Sequence, residues 1–257
     1  MQKEMTFLEH LDELRSRLIR IIASVAVLSL FFFLFGVKEA AVGGYRVFYP
    51  FPDVYDNISA MVLRQIEHDL LPPGVKLITT EPAQMMIVTI YASLFLGLIF
   101  SMPVVVYELG KFVNPALFVH ERRVLSKVLI PSVILFVLGA VFAYYLMIPF
   151  ILQFLLGYAL VSDVAAYLTI ESFMSFIFWF LIAMGLAFQL PIFMVGLTSV
   201  GAVQAETWKH NFRYAVVAIS VFGAAVTPDG SGVTMSMVPA PMILLSALGY
   251  LIARGQK

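Results

Sequence analysis

The stretch from Phe7 to Arg20, FLEHLDELRSRLIR, mixes carboxylates and guanidiniums at helical spacing. On a helical wheel Glu9, Glu13, Arg17 and Arg20 gather on one face, while Phe7, Leu11, Leu14 and Leu18 fall in a narrow arc of another. Glu13 and Arg17 stand at i, i+4 in the stabilising order. Thr6 and Glu9 form a capping box ahead of them. A second charged stretch, VVVYELGKFVNPALFVHERRVLSKV, carries Glu108, Lys111, Phe112, Asn114, Pro115, His120, Glu121, Arg122, Arg123 and Lys127. A carboxylate set among arginines either pairs with them or is kept for a cationic guest. A guanidinium suits such a site, because its planar fork of donors can meet a carboxylate in a way lysine cannot copy. The plainer reading of the first stretch is an interfacial helix whose solvated ion pairs contribute about 0–1 kcal/mol each.

The rest of the chain must hold these charges in place, and it is strongly apolar. Of 257 residues, 61% are hydrophobic, 14% aromatic and only 12% charged, with a mean hydropathy of +0.95. A soluble domain carries about 25% charged residues, so the composition implies an integral membrane protein. Formal net charge is zero, which leaves no global field to attract nucleic acid or anionic substrates. The absence of cysteine removes disulfides, thiolate catalysis and thiolate metal sites. The first apolar run is too long for the core of a signal peptide and no small-residue cleavage site closes it, so no cleavable leader is expected.

Hydropathy divides the chain into six expected spans, about 18–36, 83–107, 128–148, 172–197, 214–226 and 237–253, in one all-α membrane domain over residues 1–257. The third apolar run continues to Val161, too long for one span and too short for two. Pro149 is the expected break, with the remainder along the interface. The last two spans are short, which predicts a locally thinned bilayer. With the N-terminus inside, Lys3, Arg15, Arg17, Arg20, Lys111, Arg122, Arg123, Lys127, Lys209, Arg213, Arg254 and Lys257 all fall on the cytoplasmic side. Only Lys38, Arg46, Arg64 and Lys76 remain outside, in one long loop. This positive-inside pattern predicts both termini in the cytoplasm. It accounts for the arginines but not for Glu108 or Glu121, because acidic residues contribute little to orientation. Within the outer loop, YPFPD predicts a rigid turn, and DVYDNISAMVLRQIEHDL predicts a short amphipathic helix stopped by LPPG.

Several motifs, in order, carry a resemblance: HLDELRSRL after a capped start, PALFVHERR after the second span, FQLP in the fourth and TPD after the fifth. Together they resemble the TatC family of twin-arginine translocase subunits over essentially the whole chain. The resemblance implies a receptor for signal peptides bearing two consecutive arginines, working with TatA/TatB-type single-span subunits and driven by the proton-motive force. It places the receptor carboxylates at Glu13 and Glu121. Arg15 and Arg17 match family arginines expected to hold Glu13 in place or pair with Glu121. Phe112 matches a position beside the receptor patch, where it could pack on the hydrophobic residue after the arginines or simply anchor at the interface. Gln189 stands where the family often has glutamate and can hydrogen-bond but not ionise. It is expected either to bond within the chain or to contact a partner's transmembrane helix. Asp229 matches an outer-loop aspartate, although Pro-Asp-Gly turn chemistry alone would explain it. Pro50 and Pro52 match prolines shaping the outer cap. The implied location is the inner (cytoplasmic) membrane, with self-association and lipid contact.

Other functions fit less well. A transporter or channel calls for ionisable groups near the bilayer midplane and inverted repeats, and the spans carry neither. An intramembrane metalloprotease needs histidines at metal-binding spacing. His10, His68, His120 and His210 lie outside the expected spans and do not pair. No phosphate-binding loop is present. The chain reads as a non-enzymatic translocase component without cofactor or metal.

Overall fold

The structure is a computed structural model that describes residues 7–42, 45–113, 122–161, 167–199, 201, 203–227 and 232–255. The elements run α1 (Phe7–Leu34), β1 (Phe35–Val42), β2 (Tyr45–Pro52), α2 (Ile58–Leu70), β3 (Lys76–Ile78), α3 (Gln84–Val113), α4 (Arg122–Phe142), a π-helical turn (Ala143–Met147), α5 (Ile148–Val161), β4 (Tyr167–Thr169), α6 (Ile170–Ala187), α7 (Leu190–Ser199), α8 (Ala205–His210), α9 (Phe212–Val226), α10 (Gly232–Met237) and α11 (Pro239–Arg254). Five helical stretches are long and apolar enough to cross a membrane: Leu8–Leu34, Gln84–Phe112, Ile130–Gly157, Ile170–Ser199 and Gly232–Arg254. Phe212–Val226 is a shorter apolar helix, as expected for the fifth span.

The chain forms two compact units, Met1–Phe112 with Ala159–Phe178, and Val113–Tyr158 with Trp179–Lys257. In the first unit α1 is an uninterrupted helix of 28 residues. At 1.5 Å per residue it is about 42 Å long, more than a ~30 Å hydrocarbon core needs. The excess is its charged end. The helix gives way to strand at Phe35–Gly36, and Gly36 is required there because a Cβ would collide with the Asp56 carbonyl. β1 and β2 pair antiparallel with Phe35 opposite Pro52 and Val37 opposite Pro50. The expected turn at YPFPD is therefore mostly strand. Proline is tolerated in a strand on a free edge, and Pro50 and Pro52, two residues apart, fall on the same edge of this two-stranded ribbon.

The expected amphipathic helix of the outer loop is α2. Its N-cap is Asn57, whose side-chain oxygen accepts from the Ala60 N–H at 2.8 Å. Leu63, Ile66 and Leu70 form its buried stripe, and Ser59 donates to the Phe32 carbonyl at 3.2 Å, tying it to α1. β3 pairs in parallel with β4, Lys76 opposite Tyr167. α1 and α3 are joined by Phe32 against Phe100, with ring centroids 5.1 Å apart.

In the second unit small residues let helices approach closely. A Cβ on Gly185 would stand 2.7 Å from the Phe136 ring, and one on Gly249 would stand 2.9 Å from the Pro191 backbone. Phe136, Ile148, Ile151, Phe180, Met184 and Val238 are buried. Three expectations change here. The third apolar run does not end at Pro149: α4, the π turn and α5 form one path, with Ile130–Gly157 long enough to span. The Ile148 N–H bonds back five residues to the Ala143 carbonyl. This widened turn lies just before Pro149, where it eases the ring's clash with the preceding carbonyls and absorbs its missing donor. The last stretch reaches further back than Met237, because α10 joins α11 into 23 residues, interrupted only at Val238. The fourth stretch breaks at Phe188–Gln189, one residue before Leu190 and Pro191 restart it as α7.

Candidate functional site: a carboxylate–guanidinium cluster

The charged end of α1 meets the last turns of α3. Arg17 stands at the centre. Its Nε donates to Glu13 Oε1 at 3.0 Å, its Nη2 donates to the same oxygen, and its Nη1 donates to Glu108 Oε2 at 3.2 Å. All three guanidinium nitrogens are thus engaged, with a carboxylate from each of two helices. Arg20 Nη1 donates to the same Glu108 oxygen at 3.1 Å, while its Nη2 donates to Ser16 Oγ at 3.0 Å. Side-chain exposure separates the partners: 9% for Glu108, 13% for Arg17 and 16% for Glu13, but 56% for Arg20. The inner pairs are therefore shielded from water and the Arg20 pair is not, so the latter contributes at most about 1 kcal/mol. Removing one partner of an inner pair would strand a charge, at a cost of about 3–5 kcal/mol.

Glu13 has one oxygen to spare. Its Oε2 is buried and has no hydrogen-bond partner among the described residues. His10 Nδ1 lies 3.9 Å from it. His10 in turn stacks on Phe112, with centroids 4.4 Å apart and planes at 18°. Beside Phe112 on α3, Lys111 Nζ lies 4.2 Å from the centre of the Tyr107 ring. Backbone geometry explains the assembly. Glu13 and Arg17 are one turn apart on α1, as are Glu108 and Phe112 on α3, so two short helical stripes face each other.

Glu13 and Arg17 point inward, while Leu11 and Leu18 are each 44% exposed. The exposed side carries Glu9, Asp12 and Arg15 as well as these leucines, as suits a helix end at the edge of lipid.

Of the residues singled out from sequence, the structure brings together Glu13, Arg17 and Phe112. Arg15 is exposed and has no ion pair among the described residues. Glu121 and Asp229 lie outside the described residues, as do Thr6, Pro115 and His120. Gln189 is buried, and its Nε2 donates to the Ser132 carbonyl at 3.1 Å and the Gly185 carbonyl at 3.5 Å, both within the chain. Sequence reasoning left three participants out of the site: Glu108, Arg20 and His10. Glu108 carried a signal, since no orientation rule accounts for an acid at the end of an apolar span.

Fold and site together define a multi-pass helical membrane protein with a shielded carboxylate–guanidinium cluster at the charged end of its first helix. The family described as Sec-independent protein translocase protein (TatC) matches residues 9–241. The chain belongs to the TatC family. It is 40% identical over 250 residues to the Sec-independent protein translocase protein TatC of Cenarchaeum symbiosum, covering 97% of this chain and 95% of that one. The protein of the same name from Aquifex aeolicus is 33% identical, again over 97% and 95% of the two chains. A crystal structure of the twin-arginine translocase receptor TatC superposes with a TM-score of 0.78 at 30% identity, over 96% of this chain and 99% of that one.

Proposed function

We propose that this chain is the receptor and core subunit of a twin-arginine protein translocase. It binds twin-arginine signal peptides and organises transport of folded proteins across the membrane. The single observation that carries the receptor site is the spare oxygen of Glu13: a buried carboxylate atom without a hydrogen-bond partner among the described residues, beside an already bound guanidinium. A signal arginine is the guest that such an oxygen fits, since a charge-assisted hydrogen bond there is worth about 1.5–3 kcal/mol. In this reading Glu121 supplies a further carboxylate from the segment after α3, and Arg17 positions Glu13. Phe112 offers an apolar surface to the residue following the arginines, and Arg15, exposed and without an ion pair among the described residues, is left to pair with Glu121.

The cluster lies on the cytoplasmic side, with both termini in the cytoplasm, as the lysine and arginine distribution supports. TatA/TatB-type single-span subunits pack on the last helices, beside the short α9. Gln189 could offer such a helix only its carbonyl oxygen while its amide stays committed within the chain. Pro50, Pro52 and Asp229 shape the outer loops. The chain is non-enzymatic and draws on the proton-motive force.

Binding of a twin-arginine signal peptide and its Lys-Lys version to the purified chain tests this reading, with Glu13→Gln and Glu121→Gln in parallel. A clear preference for Arg-Arg, reduced in both variants, supports it. Equal binding of the two peptides, or variants that behave as wild type, would leave the cluster as an interfacial anchor.

A further inference from the structure

Glu108 does more in the structure than the receptor reading asks of it. It is the most shielded charge of the cluster, at 9% exposure, and a single one of its oxygens accepts from two different arginines. The two differ in how firmly they are held. Arg17 is anchored through all three nitrogens and is 13% exposed. Arg20 reaches Glu108 through one nitrogen from a side chain that is 56% exposed. Rotating Arg20 into water costs little. Vacating Glu108 altogether would strand its charge.

Charge bookkeeping adds a constraint. Glu13 and Glu108 are balanced by Arg17 and Arg20, so the described cluster is already neutral. Two incoming guanidiniums need carboxylate that is not spoken for. Glu13 has its spare Oε2. Both arginines share Glu108 Oε2, so Glu108 gains unbalanced negative charge for a guest when a resident arginine leaves, and the exposed Arg20 is the one that leaves at little cost.

We infer that Glu108 is a further guanidinium acceptor for the twin-arginine signal, beside Glu13 and Glu121, and that Arg20 is its resident stand-in, displaced when the peptide arrives. One signal arginine takes Oε2 of Glu13 and the other takes the place of Arg20 on Glu108, with Glu121 adding its carboxylate to the pair, while Arg17 stays and bridges Glu13 and Glu108. Removing Arg20 therefore strengthens binding, although it deletes an ion pair. A structural role for Arg20 gives the opposite sign.

The inference rests on the receptor reading, and the experiment separates the two. Affinities of a twin-arginine signal peptide and its Lys-Lys version are measured for the full-length chain in detergent and for Arg20→Gln, Glu108→Gln, Glu108→Asp and Glu13→Gln. Arg20→Gln, an exposed substitution, is expected to tighten Arg-Arg binding several-fold and to leave Lys-Lys binding nearly unchanged. Glu108→Gln is expected to weaken Arg-Arg binding by about tenfold and to remove most of the preference, with partial recovery in Glu108→Asp. If Arg20→Gln weakens or does not change Arg-Arg binding, the displacement is wrong, and this result stands even where Glu108→Gln fails to fold. If Glu13→Gln loses the preference while Glu108→Gln and Arg20→Gln behave as wild type, the inference falls and the receptor reading survives. If no variant changes the preference, both fall.

Discussion

Phe112 lies flat on His10, its ring centroid 4.4 Å away and the planes 18° apart, so an aromatic of α3 closes over the polar face of α1. The stack sits one turn from Glu13 on one helix and one turn from Glu108 on the other. An aromatic pair of this kind contributes about 0.5–1.5 kcal/mol beyond the area it buries. A double-mutant cycle of His10→Ala and Phe112→Ala, read by thermal unfolding in detergent, should return a coupling energy in that range. Phe112→Ala should also weaken binding of signal peptides with a large apolar residue after the arginines. A peptide with serine there should bind wild type and variant alike.

Arg17→Lys keeps the charge but loses the fork. A lysine ammonium cannot reach carboxylates on two helices with separate, fixed donors. We expect the variant to unfold at lower temperature than wild type and to bind the Arg-Arg peptide roughly tenfold more weakly, about the value of one charge-assisted hydrogen bond. Isothermal titration and a melting curve on the same preparation would check both. A variant matching wild type in both would show that Arg17 does not position Glu13.

Gln189 donates to carbonyls, and glutamate at this position can donate only when protonated. Gln189→Glu should therefore be destabilised at neutral pH, by about 1–3 kcal/mol for the unsatisfied buried contacts. Its melting temperature should rise toward that of wild type as the pH falls. Gln189→Leu, which cannot titrate, should show no such recovery. Parallel melting curves from pH 4 to 8 would distinguish the two.

Asp53 gives a pH effect at the end of the β1–β2 ribbon. Its carboxylate accepts from the backbone N–H of Asp56 at 3.0 Å and of Tyr55 at 3.1 Å, and Lys38 Nζ lies 3.7 Å away. Those backbone donors first, and Lys38 second, hold the carboxyl below its ordinary value. A lowered folded-state pKa stabilises the fold above the unfolded value of about 3.9, and that contribution disappears as pH falls through the folded value. The stability difference between wild type and Asp53→Asn should be flat from pH 5 to 8 and should close below about pH 4. A difference that grows on acidification would reverse the sign and exclude this account.

Composition and periodicity revealed the helical membrane architecture, because lipid tolerates long apolar helices and little else. The same patterns yielded α2, whose Leu63, Ile66 and Leu70 repeat at helical spacing. The β1–β2 ribbon was hidden because Pro50 and Pro52 read as turn formers, and only pairing with a partner strand makes them edge residues. Pro149 read as a helix stop for a similar reason: the widened turn that accommodates it leaves no residue signature. At the site, Glu13, Arg17 and Phe112 could be placed from motif and spacing. Glu108 could not, since its partners lie 88 and 91 residues away and contacts at that separation are set by packing between α1 and α3.

The π turn at Ala143–Met147 means that the helix carries one more residue than regular winding would need. Phe136, Ala140, Ala143 and Met147 are buried before the extra residue takes effect, and Ile148, Ile151 and Leu152 after it. The inward stripe thus steps over by one position at the turn. Length itself becomes a constraint on this stretch. Deleting the exposed Tyr145 would leave a regular α-helix in which Ile148, Ile151 and Leu152 fall in phase with Phe136, Ala140 and Ala143, because the turn takes up one extra residue. Inserting a further residue would instead turn Ile148 and Ile151 about 100° off the buried stripe. Here the chain should tolerate the loss of one residue better than the gain of one.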